Sequence, residues 1–362
     1  MKKLMYLGLL SVAAMSVIAL SSCGAEEFKI ALITDIGEID DKSFNQGTWE
    51  GVVAYAEEND VSHTYYKPAE KSTTAYVNAI ELAISNGAEV VVTPGFLFEE
   101  PIFLVQDTYP DVDFILIDGT PHNADYSEFR TEENVQPILF AEDQAGYLAG
   151  YGAVMDGFTS LGFMGGMAFP AVVRFGMGFV AGANDAAAVK GVTITMKYHY
   201  TGGFSATPEV QTKAATWYQQ GVEVIFACGG SLGQSVMAAA EIEGGKVIGV
   251  DVDQAADSYT VITSAMKRLG VAVQLALTDH FDGTWEGGTT WTLDASNDGV
   301  GLPLDIESWG FTTWTRTAYN ALFAKLADGT VVVTVDIAQG ADAEGLALFD
   351  AELDRVTITF EA

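Results

Sequence analysis

The chain has 362 residues, 49% of them hydrophobic, and 17 Lys and Arg stand against 49 Asp and Glu for a net charge of −32. That length exceeds the roughly 250 to 300 residues that one hydrophobic core usually serves, so two lobes are expected. The negative field repels nucleic acid and anionic lipid and disfavours polyanionic substrates, which leaves a neutral or cationic small molecule as the favoured ligand.

Lys2 and Lys3 form a short positive region, the run from Leu4 to Leu20 carries no charge, and Ser21-Ser22-Cys23 follows at once. Residues 1–23 resemble a bacterial lipoprotein signal, in which small residues before a cysteine direct cleavage there and lipid attachment to the thiol. The alternatives are a plain secretory signal and a transmembrane anchor. Acylation of Cys23 would tether a soluble body to the cell membrane on its extracytoplasmic side, because more than one acyl chain gives stable attachment. With Cys23 acylated, Cys228 has no disulfide partner, and at the end of an apolar run it reads as a small buried hydrophobe.

The body begins with an apolar run from Ile30 that ends on Asp35, followed by a loop dense in polar groups as far as Gln46. Asp40 or Asp41 is placed to cap the next helix, in which Phe44, Val52, Val53 and Ala56 recur at roughly helical spacing. Strands at 62–66, 89–93 and 113–118 then alternate with helices at 72–86 and 99–108. From Val135 the pattern restarts, with strands at 135–140, 161–164, 192–200, 222–227 and 247–251 and helices at 144–155, 174–189, 208–220 and 232–242. Near-continuous apolar strands alternating with helices predict an α/β fold with parallel sheets covered on both faces.

The apolar runs finish at Asp35, Pro94-Gly95, Asp118, Gly165-Gly166, Cys228-Gly229-Gly230 and Asp251-Val252-Asp253. Ligands of open α/β sheets sit outside the carboxyl ends of the strands, where carboxylates supply acceptors and glycines let a ligand approach the backbone. Two such edges would face each other across a cleft, although capping of the next helix explains any single Asp equally well. The segment from Asp35 to Asp41 lacks the alternating oxygen ligands and terminal Glu of an EF-hand. No Gly-Lys-Ser/Thr follows Gly162, Gly165 and Gly166, which argues against nucleotide hydrolysis. His63, His122, His199 and His280 are isolated from one another, which argues against a metal site or a Ser-His-Asp triad. Neither a metal nor a cofactor is expected.

Asp35-Ile36-Gly37 followed by Asp40-Asp41-Lys42-Ser43-Phe44-Asn45-Gln46 resembles the signature of the basic membrane protein family of substrate-binding lipoproteins, which includes purine nucleoside receptors serving ABC transporters. Four later segments resemble it in order: Glu142 to Gly150, Gly162 to Met167 with Arg174-Phe175 and Gly178-Phe179, Ile248 to Gln254, and Thr263 to Arg268. The resemblance implies a periplasmic binding protein of the first type, with two Rossmann-like lobes joined by a three-stranded hinge. One lobe would hold 28–140 plus 260–285 and the other 141–259 plus 286–362. It further implies a nucleoside receptor that hands its ligand to the permease subunits of an ABC importer and catalyses nothing. Phe44 and Phe204 would stack on the two faces of the base, although by composition alone both read as core residues. Asn45 and Asp118 would address polar atoms of base or ribose, Gly230 would offer backbone, Asp251 and Lys267 would hold ribose hydroxyls, and Asp35 is a further polar candidate. Gly176, where the family usually has an acidic residue, and Gly230-Ser231-Leu232-Gly233-Gln234, in place of Gly-Thr-Gly-Asn, leave the choice of base open. A receptor for a sugar, autoinducer or other small ligand and a nucleoside hydrolase are the rival readings.

The carboxylate excess also fits adaptation to high salt. Self-repulsion on this scale destabilises a compact state, and about 1 M salt shortens the Debye length to about 3 Å. The urea midpoint of the protein is therefore expected to rise between dilute buffer and molar sodium chloride; equal midpoints would remove the high-salt reading.

Overall fold

A computed structural model describes residues 28–361. The signal and Cys23 lie outside the described residues. The chain opens with β1 (Ile30–Ile33), α1 (Phe44–Asn59), β2 (His63–Tyr66), α2 (Thr73–Ser85), β3 (Val90–Pro94), α3 (Glu99–Val105), β4 (Asp113–Ile117) and β5 (Val135–Phe140). It crosses to a second sheet with α4 (Glu142–Asp156), β6 (Ser160–Gly165), α5 (Pro170–Lys190), β7 (Ile194–Tyr200), α6 (Pro208–Gln219), β8 (Val224–Cys228), α7 (Leu232–Glu243), β9 (Lys246–Asp251) and β10 (Val261–Lys267). It returns for α8 (Leu269–Asp282) and β11 (Trp291–Leu293), then crosses again for β12 (Val300–Gly301), α9 (Arg316–Ala327), α10 (Ile337–Gly340), α11 (Ala343–Asp350) and β13 (Val356–Phe360).

The first sheet has the order β11-β5-β4-β3-β1-β2 and the second β12-β10-β9-β8-β6-β7-β13. All pairs are parallel except β10 with β12. Strands such as Val90–Val92 and Val224–Ala227 are buried throughout, as parallel strands covered by helices must be. The α/β class and the two parallel-sheet lobes expected from the sequence are what the chain forms. Helix starts follow local chemistry: Ser72 accepts from the Ala75 N–H, and Thr207 accepts from the Val210 N–H with Pro208 in the first turn.

The lobe boundaries differ from the expected ones at two strands. Residues 260–267 were assigned to the first lobe, yet β10 pairs with β9 in the second sheet, with Met266 opposite Asp251, and the return begins only at α8. Trp291–Leu293, assigned to the second lobe, pairs with β5 in the first sheet. β10 is almost wholly buried and β11 is a three-residue edge strand, and neither carries a mark of which sheet it joins. Beyond Gly301 the sequence reading placed no elements, although Val-Thr-Ile-Thr-Phe at 356–360 alternates strictly; this segment is β13, an edge strand on β7.

Helices α4 and α5 meet backbone to backbone. Gly146 and Gly150 face the carbonyls of Phe175 and Phe179, while Gly178 and Gly182 face those of Asp143 and Tyr147. A Cβ at Gly150 would overlap the Phe179 carbonyl oxygen. Ala is favoured over Gly in a helix by about 1 kcal/mol, whereas forcing atoms into a packed contact costs about 1 to 3 kcal/mol or more. At this separation the overlap dominates, so Gly150→Ala is expected to lower the unfolding free energy by about 2 kcal/mol in urea titration.

Candidate functional site

The carboxyl ends of both sheets open onto one cavity of about 860 Å³, its open mouth included. From the first lobe come Asp35 after β1, Phe44 and Asn45 at the start of α1, Gly95 after β3 and Asp118 after β4. From the second come Phe204, Gly230, Asp251 and Lys267. All eight residues that the sequence singled out for ligand binding thus line a single space.

Its electrostatic centre is the Lys267 ammonium at the end of β10. Lys267 Nζ lies 2.5 Å from Asp118 Oδ2, 3.3 Å from Asp251 Oδ1 and 3.7 Å from Glu142 Oε1. Glu142, the first residue of α4, is fully buried, and its Oε2 accepts from Arg174 Nε on α5 at 2.5 Å. Burial alone would lower the Lys267 pKa, but the three carboxylates raise it and keep the ammonium charged. Burial would raise that of Glu142, yet Arg174 and Lys267 hold it below its ordinary value. For Asp118 burial wins over the pull of Lys267 and pushes the carboxyl up. Asp118 and Asp251 both take positive φ, 59° and 66°, a strained conformation outside glycine and a frequent mark of functional sites. The ammonium also stands 4.4 Å from the centre of the Phe44 ring, within cation–π range.

The loop after β1 is organised around Asp41, which the sequence reading took mainly as a cap. Its carboxylate accepts from the backbone N–H groups of Ser43, Asn45 and Gln46 and from Asn45 Nδ2. It therefore caps α1, and it also lines the cavity. Burial pushes its pKa up to about 6 despite these bonds. Asn45 is 2% exposed, and both its donors are engaged, with Asp35 Oδ1 at 2.9 Å and Asp41 Oδ2 at 3.1 Å. Gly37 N–H also donates to Asp35 Oδ1, at 2.7 Å, so the other oxygen of Asp35 faces the space beside Gly95 and Phe44.

Sequence reasoning assigned no role to Phe96, Phe169 and Phe175, which line the same cavity. Phe169 stands 5.5 Å from Phe204 within the second lobe and 5.4 Å from Phe96 of the first. The signal for Phe169 was Pro170, which begins α5 and so puts the preceding side chain at the strand-to-helix turn. Cys228 is 2% exposed on the cavity floor, and burial holds its thiol well above the usual range, so it is an inert wall atom. At Gly176 a side chain would run into the Tyr198 hydroxyl and the Phe163 ring, so the acidic residue usual there has no room.

Two parallel α/β lobes, linked by three crossings and sharing a cavity at their facing strand ends, define the class of two-lobed solute-binding proteins. Residues 28–311 match the Bmp family, described as ABC transporter substrate-binding protein PnrA-like, and the chain belongs to that family. It is similar to the ABC transporter nucleoside-binding protein BmpA of Lactococcus lactis, 31% identical over 302 residues that cover 77% of this chain and 82% of that protein. A Pyrococcus abyssi protein named as an uncharacterized lipoprotein is 31% identical over 288 residues, covering 76% of this chain and 69% of its own. A crystal structure of ABC transporter solute-binding proteins from Aeropyrum pernix shares the fold, with a TM-score of 0.76 at 24% identity over 86% of this chain and 95% of that one. The chain is thus a substrate-binding protein of an ABC transporter, as the sequence motifs implied.

The Glu142–Arg174 pair supports this site from below. Breaking a buried ion pair on one side usually costs about 3 to 5 kcal/mol because the other charge is left uncompensated. Glu142→Gln is expected to lower stability by about 3 kcal/mol in urea titration; a change near zero would mean that Arg174 finds water or another carboxylate.

Proposed function

We propose that this protein is a lipid-anchored receptor that captures a nucleoside between its lobes and delivers it to the permease subunits of an ABC importer. The observation that carries the reading is a single cavity holding an aromatic ring from each lobe, Phe44 and Phe204, beside buried carboxylates whose one ammonium is already paired. A flat base suits the two rings, and base–aromatic stacking is worth about 1 to 3 kcal/mol per ring. Ribose hydroxyls and base N–H groups suit Asp35, Asp118 and Asp251, with Gly230 offering backbone. Asn45 acts here by holding the Asp35 carboxylate in place, since its own donors are engaged. The nucleoside-binding relative supports the class of ligand, and a purine is the base we favour from the resemblance of the motifs to those of purine nucleoside receptors.

Binding follows from a shift between open and closed arrangements, because contacts from both lobes exist together only when the cleft is closed. The anchor is Cys23, consistent with the lipoprotein signal and with the relative named a lipoprotein. Among the described residues no helix is long and apolar enough to cross a membrane.

The acidic lining disfavours a phosphate, which would meet Asp35, Asp41, Asp118 and Asp251 with no free cation among the lining side chains. Titration calorimetry with inosine, guanosine and inosine monophosphate is expected to show tight binding of the nucleosides and at least tenfold weaker binding of the nucleotide. Phe44→Ala should weaken nucleoside binding by about 5- to 150-fold, the equivalent of about 1 to 3 kcal/mol, while leaving the melting curve intact. Equal affinity for the monophosphate, or unchanged affinity in the variant, would overturn the reading.

A further inference from the structure

Two turns from opposite lobes meet beside the cavity, and of the side chains that join them Ser43 and Gln254 stand outside its lining. Lys42 and Ser43 lie between β1 and α1 in the first lobe. Asp251 ends β9 in the second lobe, and Gln254 lies in the turn that follows. Ser43 Oγ donates to Asp251 Oδ2 at 2.5 Å, and Gln254 Nε2 donates to the Lys42 carbonyl at 2.7 Å. Ser43 is fully buried and Gln254 is 2% exposed, so neither bond competes with bulk water. Of the four residues only Asp251 lines the cavity.

Each side of this seam is held rigid by its own lobe. Gln254 Oε1 accepts from the Val250 N–H at 3.0 Å, and the Gln254 N–H donates to Ser264 Oγ at 3.1 Å. A Cβ on Gly249 would come within 2.5 Å of Gln254 Oε1, so the turn closes only because that residue has none. On the other side the Asp41 carboxylate fixes the Ser43 N–H at 2.9 Å. Lys42 and Asp251 take φ of 60° and 66°, a left-handed conformation unfavourable for non-glycine residues. Strain of this kind persists where surrounding contacts over-determine it, and here each of the two residues takes one of the bonds that cross the lobe boundary.

We propose that this seam is the closure latch of the cleft, with Ser43 and Gln254 as positioning residues that set ligand affinity through the closed state without touching the ligand. When the lobes part, Ser43, Asp251, Gln254 and the Lys42 carbonyl lose these partners together. A ligand that binds only the closed form has its apparent affinity reduced by the closed fraction, whatever the ligand is. Loss of a latch bond therefore weakens every ligand by the same factor, whereas loss of a contact to the base changes their ranking; a lost ribose contact also weakens all nucleosides alike but leaves the ligand-free radius of gyration unchanged.

The inference rests on the closing receptor proposed above, but not on the ligand being a nucleoside. Gln254→Glu keeps the acceptor for the Val250 N–H and sets a carboxylate oxygen against the Lys42 carbonyl; Ser43→Ala removes the donor to Asp251. Calorimetry with inosine, adenosine and guanosine is expected to show each variant weakened by about tenfold and by one common factor across the three. Small-angle X-ray scattering of the ligand-free variants is expected to show a larger radius of gyration than the parent. If the nucleosides bind neither parent nor variants, the nucleoside reading fails and the scattering still tests the latch. An unchanged radius with unchanged affinities, or losses that differ among the three nucleosides, would overturn it. The two substitutions act on separate bonds, so either variant that melts like the parent carries the test.

Discussion

A buried lysine dictates the arrangement around it. Taking an ammonium out of water costs several kcal/mol after relaxation, and Lys267 has a side chain only 2% exposed. It is tolerable there only because Asp118, Asp251 and Glu142 surround it, and three carboxylates on one ammonium demand a second cation in turn. Arg174 supplies it through Glu142. Asp118 belongs to the first lobe and the other members to the second, where two carboxylates already stand against two cations, so the lobes together add a third carboxylate and the 2.5 Å Lys267–Asp118 pair that joins them. The glycine-faced crossing of α4 and α5 serves the same end, because it brings the first residue of one helix within 2.5 Å of Arg174 on the other.

A cavity built around a neutralised cation presents mostly acceptors. Asp35 offers one oxygen because Asn45 and Gly37 take the other, and Asp41 accepts from the backbone of Ser43 and of Asn45 and Gln46 in the first turn of α1. Net charge and local site thus act in one direction, both favouring a ligand that brings hydrogen-bond donors and no phosphate. The apolar share of recognition falls to aromatic rings from both lobes. Phe96 and Phe169 extend that surface across the lobe gap, so the closed cleft has aromatic continuity as well as the Lys267–Asp118 ion pair.

Much of this was legible in the sequence, for a physical reason. Parallel strands such as Val90–Pro94 and Val224–Cys228 must be apolar on both faces, and the polar residues that end such runs mark the sheet edge at once. That is why Asp35, Asp118 and Asp251 could be picked out together. Partners distant in sequence were not legible. Glu142 and Arg174 are 32 residues apart and meet only because α4 and α5 pack on glycine. Asn45 was expected to contact the ligand on the strength of the family resemblance, and nothing in the sequence marks its donors as engaged by Asp35 and Asp41. The placement of β10 failed for the opposite reason, since an apolar strand of that kind suits either sheet.

That misplaced strand matters to mechanism. Lys267 is the last residue of β10, and the chain crosses to the first lobe at α8, two residues on. Glu142 stands just past the crossing that follows β5, and β12, at the far side of the third crossing, pairs Val300 with Lys267. The charge cluster therefore sits on the connections about which the lobes must turn. A ligand that engages Asp118 and Asp251 bears on the balance around Lys267, and with it on the segments that carry the motion. On the proposed reading recognition and closure share residues, so a ligand that fails to satisfy the cluster also fails to hold the cleft shut, which makes selectivity a property of the closed state.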